Sequence, residues 1–152
     1  GVVREGQHID ARACNGDACG IGLLREDRAK DHLCAFGHGF GDQVLRAVSQ
    51  VIKACTPGDS MAARLGGEEF AILLPEVDLE DARKMAEKIR MTVAKARIRR
   101  HDTQEAIASV TLSLGVTLYR IGEDAREFID RADRALYASK AGGRDRVTVM
   151  AA

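Results

Sequence analysis

Apolar residues follow two different spacings along this chain, and the spacing changes several times between its two ends. From Val110 to Leu118, apolar residues alternate strictly with threonine, serine and glycine. This alternation predicts a strand with one apolar face and one face of small residues. Other short apolar runs predict further strands over residues 19–24, 61–65, 70–74 and 147–150.

Other segments carry apolar residues three and four positions apart, which is the spacing of an amphipathic helix. This pattern predicts a helix over residues 42–55, a second helix after Asp78 and a last helix around residues 128–139. Asp78 is the predicted N-cap of the second helix, because an aspartate at this position accepts from free backbone N–H groups. Asp42 is predicted to cap the first helix in the same way, at the end of a glycine-rich turn over residues 37–42.

The predicted elements run in the order strand, short helix, helix, β-hairpin, helix, strand, helix and strand. Residues 28–36 hold the predicted short helix or loop, whereas residues 1–18 show no periodicity and form a poorly readable segment. Helices that alternate with strands in this way cover a central sheet. We therefore predict one α/β (α+β) domain over residues 19–150, with a mixed sheet flanked by helices.

Composition and charge narrow the class of protein. A length of 152 residues fits one domain, and 23 Lys and Arg residues balance 23 Asp and Glu residues. A neutral chain has no electrostatic basis for binding nucleic acid or an anionic membrane surface. No apolar run approaches the roughly 20 residues of a membrane span. We expect a cytoplasmic domain without nucleic-acid or membrane contact and, because the chain begins with glycine, a longer parent protein.

The cysteines are expected to be free thiols. Cys14, Cys19, Cys34 and Cys55 form no CxxC pair, and a charge-rich chain with few cysteines suits a reducing compartment. A zinc site built from Cys14, Cys19 and a histidine is the alternative, and its ligand spacing is poor.

Two glycines followed by two glutamates stand between the apolar runs of the predicted hairpin. Gly66 and Gly67 can adopt the positive φ angles of a tight turn and let a ligand approach the backbone closely. Glu68 and Glu69 offer the oxygen ligands that Mg²⁺ prefers, often alongside nucleotide phosphates. The segment therefore predicts a loop for a metal-bound triphosphate, and an ordinary hairpin with two solvated acids is the alternative.

Four motifs in this order resemble the GGDEF family, the catalytic domains of diguanylate cyclases. They occupy residues 37–42, 64–70, 111–116 and 132–144. The resemblance implies a central sheet like that of adenylyl cyclases and polymerase palms, a ferredoxin-like arrangement. It also implies that two GTP molecules condense to cyclic di-GMP with loss of pyrophosphate, assisted by Mg²⁺ or Mn²⁺. Each subunit of an antiparallel homodimer would hold one GTP, and the parent protein would carry sensor or other signalling domains.

The resemblance assigns roles to individual residues. Glu68 matches a metal ligand, and Glu69 matches a position linked to activation of the attacking hydroxyl or to transition-state support. Asp42 matches the carboxylate that binds guanine, since it can accept from both N1–H and N2–H. Lys140 and Arg144 match cations that grip β- and γ-phosphate oxygens, on one helix face if the last helix runs that far. The alternative is a pair of cations that the helix C-terminus favours electrostatically.

Four positions depart from the family pattern. Arg25 stands where the family has a bridging metal-ligand aspartate, and Leu33 replaces an asparagine that binds guanine. Asp27 matches the second aspartate of that pair and is the predicted replacement metal ligand, provided that the strand end bends. Arg25 is predicted to contact phosphate directly instead. The inhibitory product site is missing, because its arginine and aspartate are replaced by Pro57 and Ser60.

These departures leave two functional hypotheses. The first is a diguanylate cyclase domain that binds GTP and condenses it weakly or no longer. The second is a catalytically degenerate module that acts as a GTP-binding or regulatory domain in cyclic di-GMP signalling. The segment that usually opens the family's domain is not recognisable, which favours the second hypothesis.

Overall fold

The computed structural model of this chain describes residues 4–5, 19–27, 38–66, 68–96 and 110–151. Six strands and three helices lie within these ranges. In chain order they are β1 Arg4–Glu5, β2 Cys19–Glu26, α1 His38–Cys55, β3 Met61–Gly66, β4 Glu69–Pro75, α2 Leu79–Lys95, β5 Leu112–Leu118, α3 Ala125–Ala141 and β6 Arg146–Met150.

The described strands form one mixed sheet in the order β1-β3-β4-β2-β5-β6. Strand β2 lies near the middle and pairs antiparallel with both β4 and β5, whereas the two outer pairs, β1 with β3 and β5 with β6, are parallel. The predicted α+β class and the mixed central sheet are confirmed. The predicted short helix or loop over residues 28–36 lies outside the described residues.

Helices cover both faces of the sheet. On one face, α1 and α2 bury an apolar stripe against alternate residues of the central strands, including Phe70, Leu112 and Leu114. On the other face, α3 packs Phe128, Ala132 and Leu136 against Ala71 and Leu73 of β4. The alternation along each strand therefore divides the core into two layers. No described helix combines the length and the apolarity that crossing a bilayer requires.

The start of α1 differs from the prediction. The helix begins at His38, so most of the glycine-rich segment is helical and Asp42 lies inside the helix. The predicted N-cap role of Asp42 is therefore wrong. Glycine inside a helix costs about 1 kcal/mol, but burial of Val44, Val48 and Ile52 lower on the same helix offsets that cost.

The other two helices each begin with an aspartate as the N-cap. The predicted cap at Asp78 is confirmed, because its side chain accepts from the backbone N–H of Asp81 at 2.7 Å. Asp124 caps α3 in the same way, accepting from the N–H of Glu127 at 2.8 Å. These caps fix the residues at which α2 and α3 begin.

Helix α3 approaches β5 closely because the strand has a glycine at the contact. A Cβ atom on Gly115 would lie 2.2 Å from the backbone nitrogen of Leu136 and 2.5 Å from the carbonyl oxygen of Ala132. One turn further along, the Ser139 hydroxyl donates to the Leu114 carbonyl at 2.7 Å. Backbone of the helix and backbone of the strand are thus in direct contact.

A buried ion pair ties the first half of α3 to the end of β5. Arg131 donates to both carboxylate oxygens of Glu123, at 2.7 and 2.5 Å, and their side chains are 8% and 3% exposed. The remaining Arg131 donors reach Thr117 and the Leu118 carbonyl. The hydrogen bonds from Arg131 hold the pKa of Glu123 below its ordinary value, against the opposing effect of burial.

We expect Gly115→Ala to destabilise the fold by about 3 kcal/mol, because the added methyl group meets helix backbone that cannot rotate away. Gly22→Ala is the matched control, since its Cβ would come no closer than 3.9 Å to the Gly115 carbonyl oxygen. The free energy of unfolding of that control should fall by less than about 1 kcal/mol. Urea unfolding of both variants measures the difference, and equal losses would contradict the close helix contact.

We expect Glu123→Gln to cost about 3 kcal/mol at pH 7, because the buried Arg131 charge loses its partner. A carboxyl group with a lowered pKa stabilises the fold above its unfolded pKa and loses that effect as the pH falls through the folded pKa. The difference in free energy of unfolding between Glu123→Gln and the parent chain should therefore shrink as the pH falls below the ordinary Glu pKa of 4.5. Thermal unfolding across pH measures it, with the exposed Glu127→Gln as control; a pH-independent difference would refute the ionic explanation.

Candidate active site at the hairpin end of the sheet

The predicted β-hairpin is present and joins β3 to β4. Gly66 is the last residue of β3 and pairs with Glu69, so it does not lie at the centre of the turn as predicted. The register also shifts between Arg64 and Gly66, as in a β-bulge. Glu68 therefore lies in the loop itself, and Glu69 is the first residue of β4. Both glutamates are half-buried.

The sheet register brings Arg25 to the second glutamate of this hairpin. Arg25 on β2 is the direct partner of Glu69 on β4 and of Ser113 on β5. Directly opposed residues of opposite charge attract each other across an antiparallel pair. The position at which the family pattern has a metal-binding aspartate is therefore a cationic position opposite a glutamate.

Asp27 lies just beyond the end of β2 and is engaged on both carboxylate oxygens. One oxygen accepts from the Ser113 hydroxyl at 2.5 Å. The other accepts from the Thr111 hydroxyl at 2.7 Å and from the backbone N–H of Asp145 at 3.1 Å. A carboxylate has about four lone-pair sites, so these three hydrogen bonds leave about one site for a further ligand.

The two predicted phosphate-binding cations lie on different kinds of structure. Helix α3 ends at Ala141, so Lys140 is in its last turn and Arg144 lies beyond it. Both cations would share one helix face only if the helix ran as far as Arg144, and it does not, because the glycines at 142 and 143 end it first. The backbone of Arg144 is nevertheless bonded to the end of the helix, because its backbone N–H donates to the Ser139 carbonyl at 3.0 Å.

A small pocket opens beside the hairpin, between β3, β4 and α3. Its volume is about 220 Å³. Its lining residues are Leu65, Glu69, Phe70, Ile129, Asp130, Asp133 and Leu136. Glu69 is the predicted site residue found in this lining, and Asp42 is exposed on α1. Its predicted role in binding guanine remains a prediction.

Sequence reasoning missed the residues that hold Asp27. Thr111 lies just before β5 and Ser113 lies on it, and hydroxyls two positions apart in an alternating pattern are a signal for a polar partner on the adjacent strand. Asp145 and Arg90, which form an ion pair at 2.9 Å, carried no such signal because they are 55 residues apart.

The described residues contain no group of three or more histidine, cysteine, aspartate or glutamate side chains placed to hold a metal ion. A magnesium ion that keeps its own waters and the phosphates of a nucleotide needs only one or two protein carboxylates. Glu68 in the loop fits that limited role. Asp27 has less capacity for it, because its oxygens already accept from two hydroxyl donors and one N–H donor.

Comparison with known proteins gives consistent results. The family profile described as "Diguanylate cyclase, GGDEF domain" matches residues 9–146. Diguanylate cyclase A of Treponema denticola is 43% identical over 115 residues, which are 75% of this chain and 30% of that protein. The chain spans about a third or less of the length of the curated relatives it matches.

Solved structures agree with the fold. The GGDEF domain of DgcB from Caulobacter crescentus, solved in complex with c-di-GMP, has a TM-score of 0.87 and 38% identity, covering 91% of this chain and 84% of that one. The active GGEEF domain of a diguanylate cyclase from Vibrio cholerae has a TM-score of 0.81 and 30% identity, covering 91% and 87%. These neighbours have the ferredoxin-like palm fold.

Proposed function

Because the chain belongs to the GGDEF family of diguanylate cyclase domains, we propose that it binds GTP and that its condensation of two GTP molecules to cyclic di-GMP is weak or lost. One observation carries the second half of this proposal. The register pairs Arg25 directly with Glu69, so a cationic residue occupies the position at which the family pattern has a metal ligand. The hairpin glutamates themselves are intact.

GTP recognition is assigned to groups from three elements. Gly66 and Gly67 allow the phosphates to approach the hairpin backbone. Lys140 and Arg144, near the end of α3, bind β- and γ-phosphate oxygens through charge-assisted hydrogen bonds. Asp42 on α1 accepts from the N1–H and N2–H groups of guanine, which adenine does not offer as a pair. Loss of the asparagine at position 33 leaves Asp42 as the main source of base specificity.

The reaction needs a ribose 3′-hydroxyl to attack an α-phosphate. Glu68 is the residue that would hold Mg²⁺ or Mn²⁺ together with the phosphates, and the bound ion would lower the pKa of the hydroxyl and neutralise phosphate charge. Glu69 supports the attacking hydroxyl or the transition state. Arg25 opposes this arrangement, because its positive charge competes with a divalent ion and attracts phosphate and Glu69 instead.

Product formation requires two copies of the domain. Each 3′-hydroxyl forms a bond to the α-phosphorus of the other GTP, and each attack releases one pyrophosphate and one proton. A homodimer that holds one GTP on each subunit satisfies this balance. Since GTP is a cytoplasmic substrate, we place the domain in the cytoplasm, as part of a longer signalling protein with a sensor or other regulatory domain.

The second candidate is a degenerate GGDEF module that regulates a partner domain by binding GTP without turnover. Two observations favour it over an active enzyme. The direct pairing of Arg25 with Glu69 is the first. The second is the engagement of Asp27 by three hydrogen-bond donors, which reduces its capacity to replace the missing metal ligand.

Incubation of the domain with GTP and Mg²⁺ or Mn²⁺, followed by chromatography of the products, tests the enzyme. We expect slow formation of cyclic di-GMP that falls at least a hundredfold in Glu68→Ala, because the variant loses the carboxylate that holds the metal. Asp59→Ala, an exposed acid in the loop before β3, is the control and should keep the rate of the parent chain. Product that persists in Glu68→Ala would refute the assigned role, and absence of product from the parent chain would select the degenerate module.

Arg25→Asp should raise the rate of cyclic di-GMP formation about tenfold or more, because it replaces a cation by a carboxylate at the metal-ligand position. Adding Leu33→Asn should lower the KM for GTP by restoring a hydrogen-bond partner for guanine. Both rates come from the same chromatographic assay. If the double variant stays inert while calorimetry shows that it binds GTP, the cause of weak catalysis is not Arg25 or Leu33.

A further inference from the structure

The turn after α3 has an unusual backbone. Three consecutive residues, Gly143, Arg144 and Asp145, have φ angles of 117°, 65° and 44°. Residues with a Cβ rarely adopt positive φ, so Arg144 and Asp145 are held in a disfavoured conformation. A conformation of this kind persists only where surrounding contacts determine it. The turn carries Arg144, which the proposed function assigns to the phosphates.

Two anchors from different elements hold Asp145. Its backbone N–H donates to Asp27 at 3.1 Å, just after β2, and its carboxylate accepts from Arg90 of α2 at 2.9 Å. Burial disfavours the charged form of Arg90, but the hydrogen bonds to Asp145 and Glu87 outweigh it and leave the pKa of Arg90 raised. The turn is therefore fastened on one side to the sheet and on the other to a helix.

Asp27 is also held by contacts outside the turn. Its backbone N–H donates to the Thr111 carbonyl at 3.0 Å, and its carboxylate accepts from the hydroxyls of Thr111 and Ser113. These contacts join the end of β2 to the start of β5. The Asp27 carboxylate thus links the end of β2 to two segments that lie 84 to 118 residues further along the sequence.

We propose that Asp27 is a positioning residue that fixes the turn over residues 143–145 and thereby places Arg144 for the β- and γ-phosphates. This inference rests on the proposed GTP site and replaces the metal-ligand role that the sequence suggested for Asp27. Arg144 is exposed and has a long side chain, so its reach depends on the backbone from which it starts. A turn that is released from Asp27 loses one of the contacts that fix the backbone from which this cation starts.

The test compares Asp27→Ala with Asp27→Asn, alone and combined with Arg144→Ala. Calorimetry gives the Kd for GTP and for GMP, with Mg²⁺ and with chelator. Asp27→Ala should weaken GTP binding about tenfold and leave GMP binding unchanged, because GMP lacks the β- and γ-phosphates. Asp27→Asn should weaken it less than about threefold, since its amide oxygen accepts from Asp145 while its amide nitrogen donates to Ser113.

The combination with Arg144→Ala separates positioning from other roles. Asp27→Ala should have no further effect on GTP affinity once Arg144 is gone. A loss that persists in that background, appears equally with GMP or occurs only with Mg²⁺ would overturn the proposal. Asp59→Ala is the control and should bind GTP as the parent chain does. If Asp27→Ala does not fold, Arg90→Met removes the other contact that holds Asp145. GTP binding is then compared for Arg90→Met with and without Arg144→Ala, and the same outcomes support or overturn the proposal.

Amide hydrogen exchange keeps this test independent of the proposed function. The Asp145 amide should exchange at least tenfold faster in Asp27→Ala than in the parent chain, because it loses its acceptor. If the parent chain binds no GTP, the proposed function fails, while faster exchange still supports the fastening of the turn by Asp27. Unchanged exchange at Asp145 in a folded Asp27→Ala variant would overturn the inference.

Discussion

The candidate site depends on the position of strand β2 between β4 and β5. Both pairings are antiparallel and continue to the end of the strand, where Arg25 pairs with Glu69 on one side and Ser113 on the other. A slip of one residue would send every side chain of β2 to the opposite face. The register therefore decides which residue faces the hairpin, and it selects Arg25.

The packing of α3 keeps the other half of the site in place. Gly115 brings helix and strand backbones together, and Arg131 with Glu123 fastens the same helix near its beginning. These contacts along the middle of the helix leave little freedom for α3 to slide. The helix consequently delivers Lys140 and the following turn to the end of the sheet that carries the hairpin. The packing of α3 against the sheet therefore also determines the geometry of the candidate site.

The hairpin and the strand beside it depend on different parts of the sequence. The hairpin is formed by the pairing of β3 with β4, whose residues are close together in the chain. The charges beside it depend on the neighbouring strand β2, where Arg25 is the register partner of Glu69. The fold can therefore be retained while the residue opposite Glu69 changes.

The sequence by itself determined the elements with strong periodicity, the cap at Asp78, the hairpin and the family, because these depend on residues close together in the chain. It misplaced the start of α1, since burial of the helix stripe outweighs the cost of glycine. It also left open whether the last helix reaches Arg144, and the structure ends that helix at Ala141. Only the tertiary structure decided that Asp27 meets Thr111, Ser113 and Asp145, because hydrogen bonds across 84 to 118 residues leave no periodic pattern.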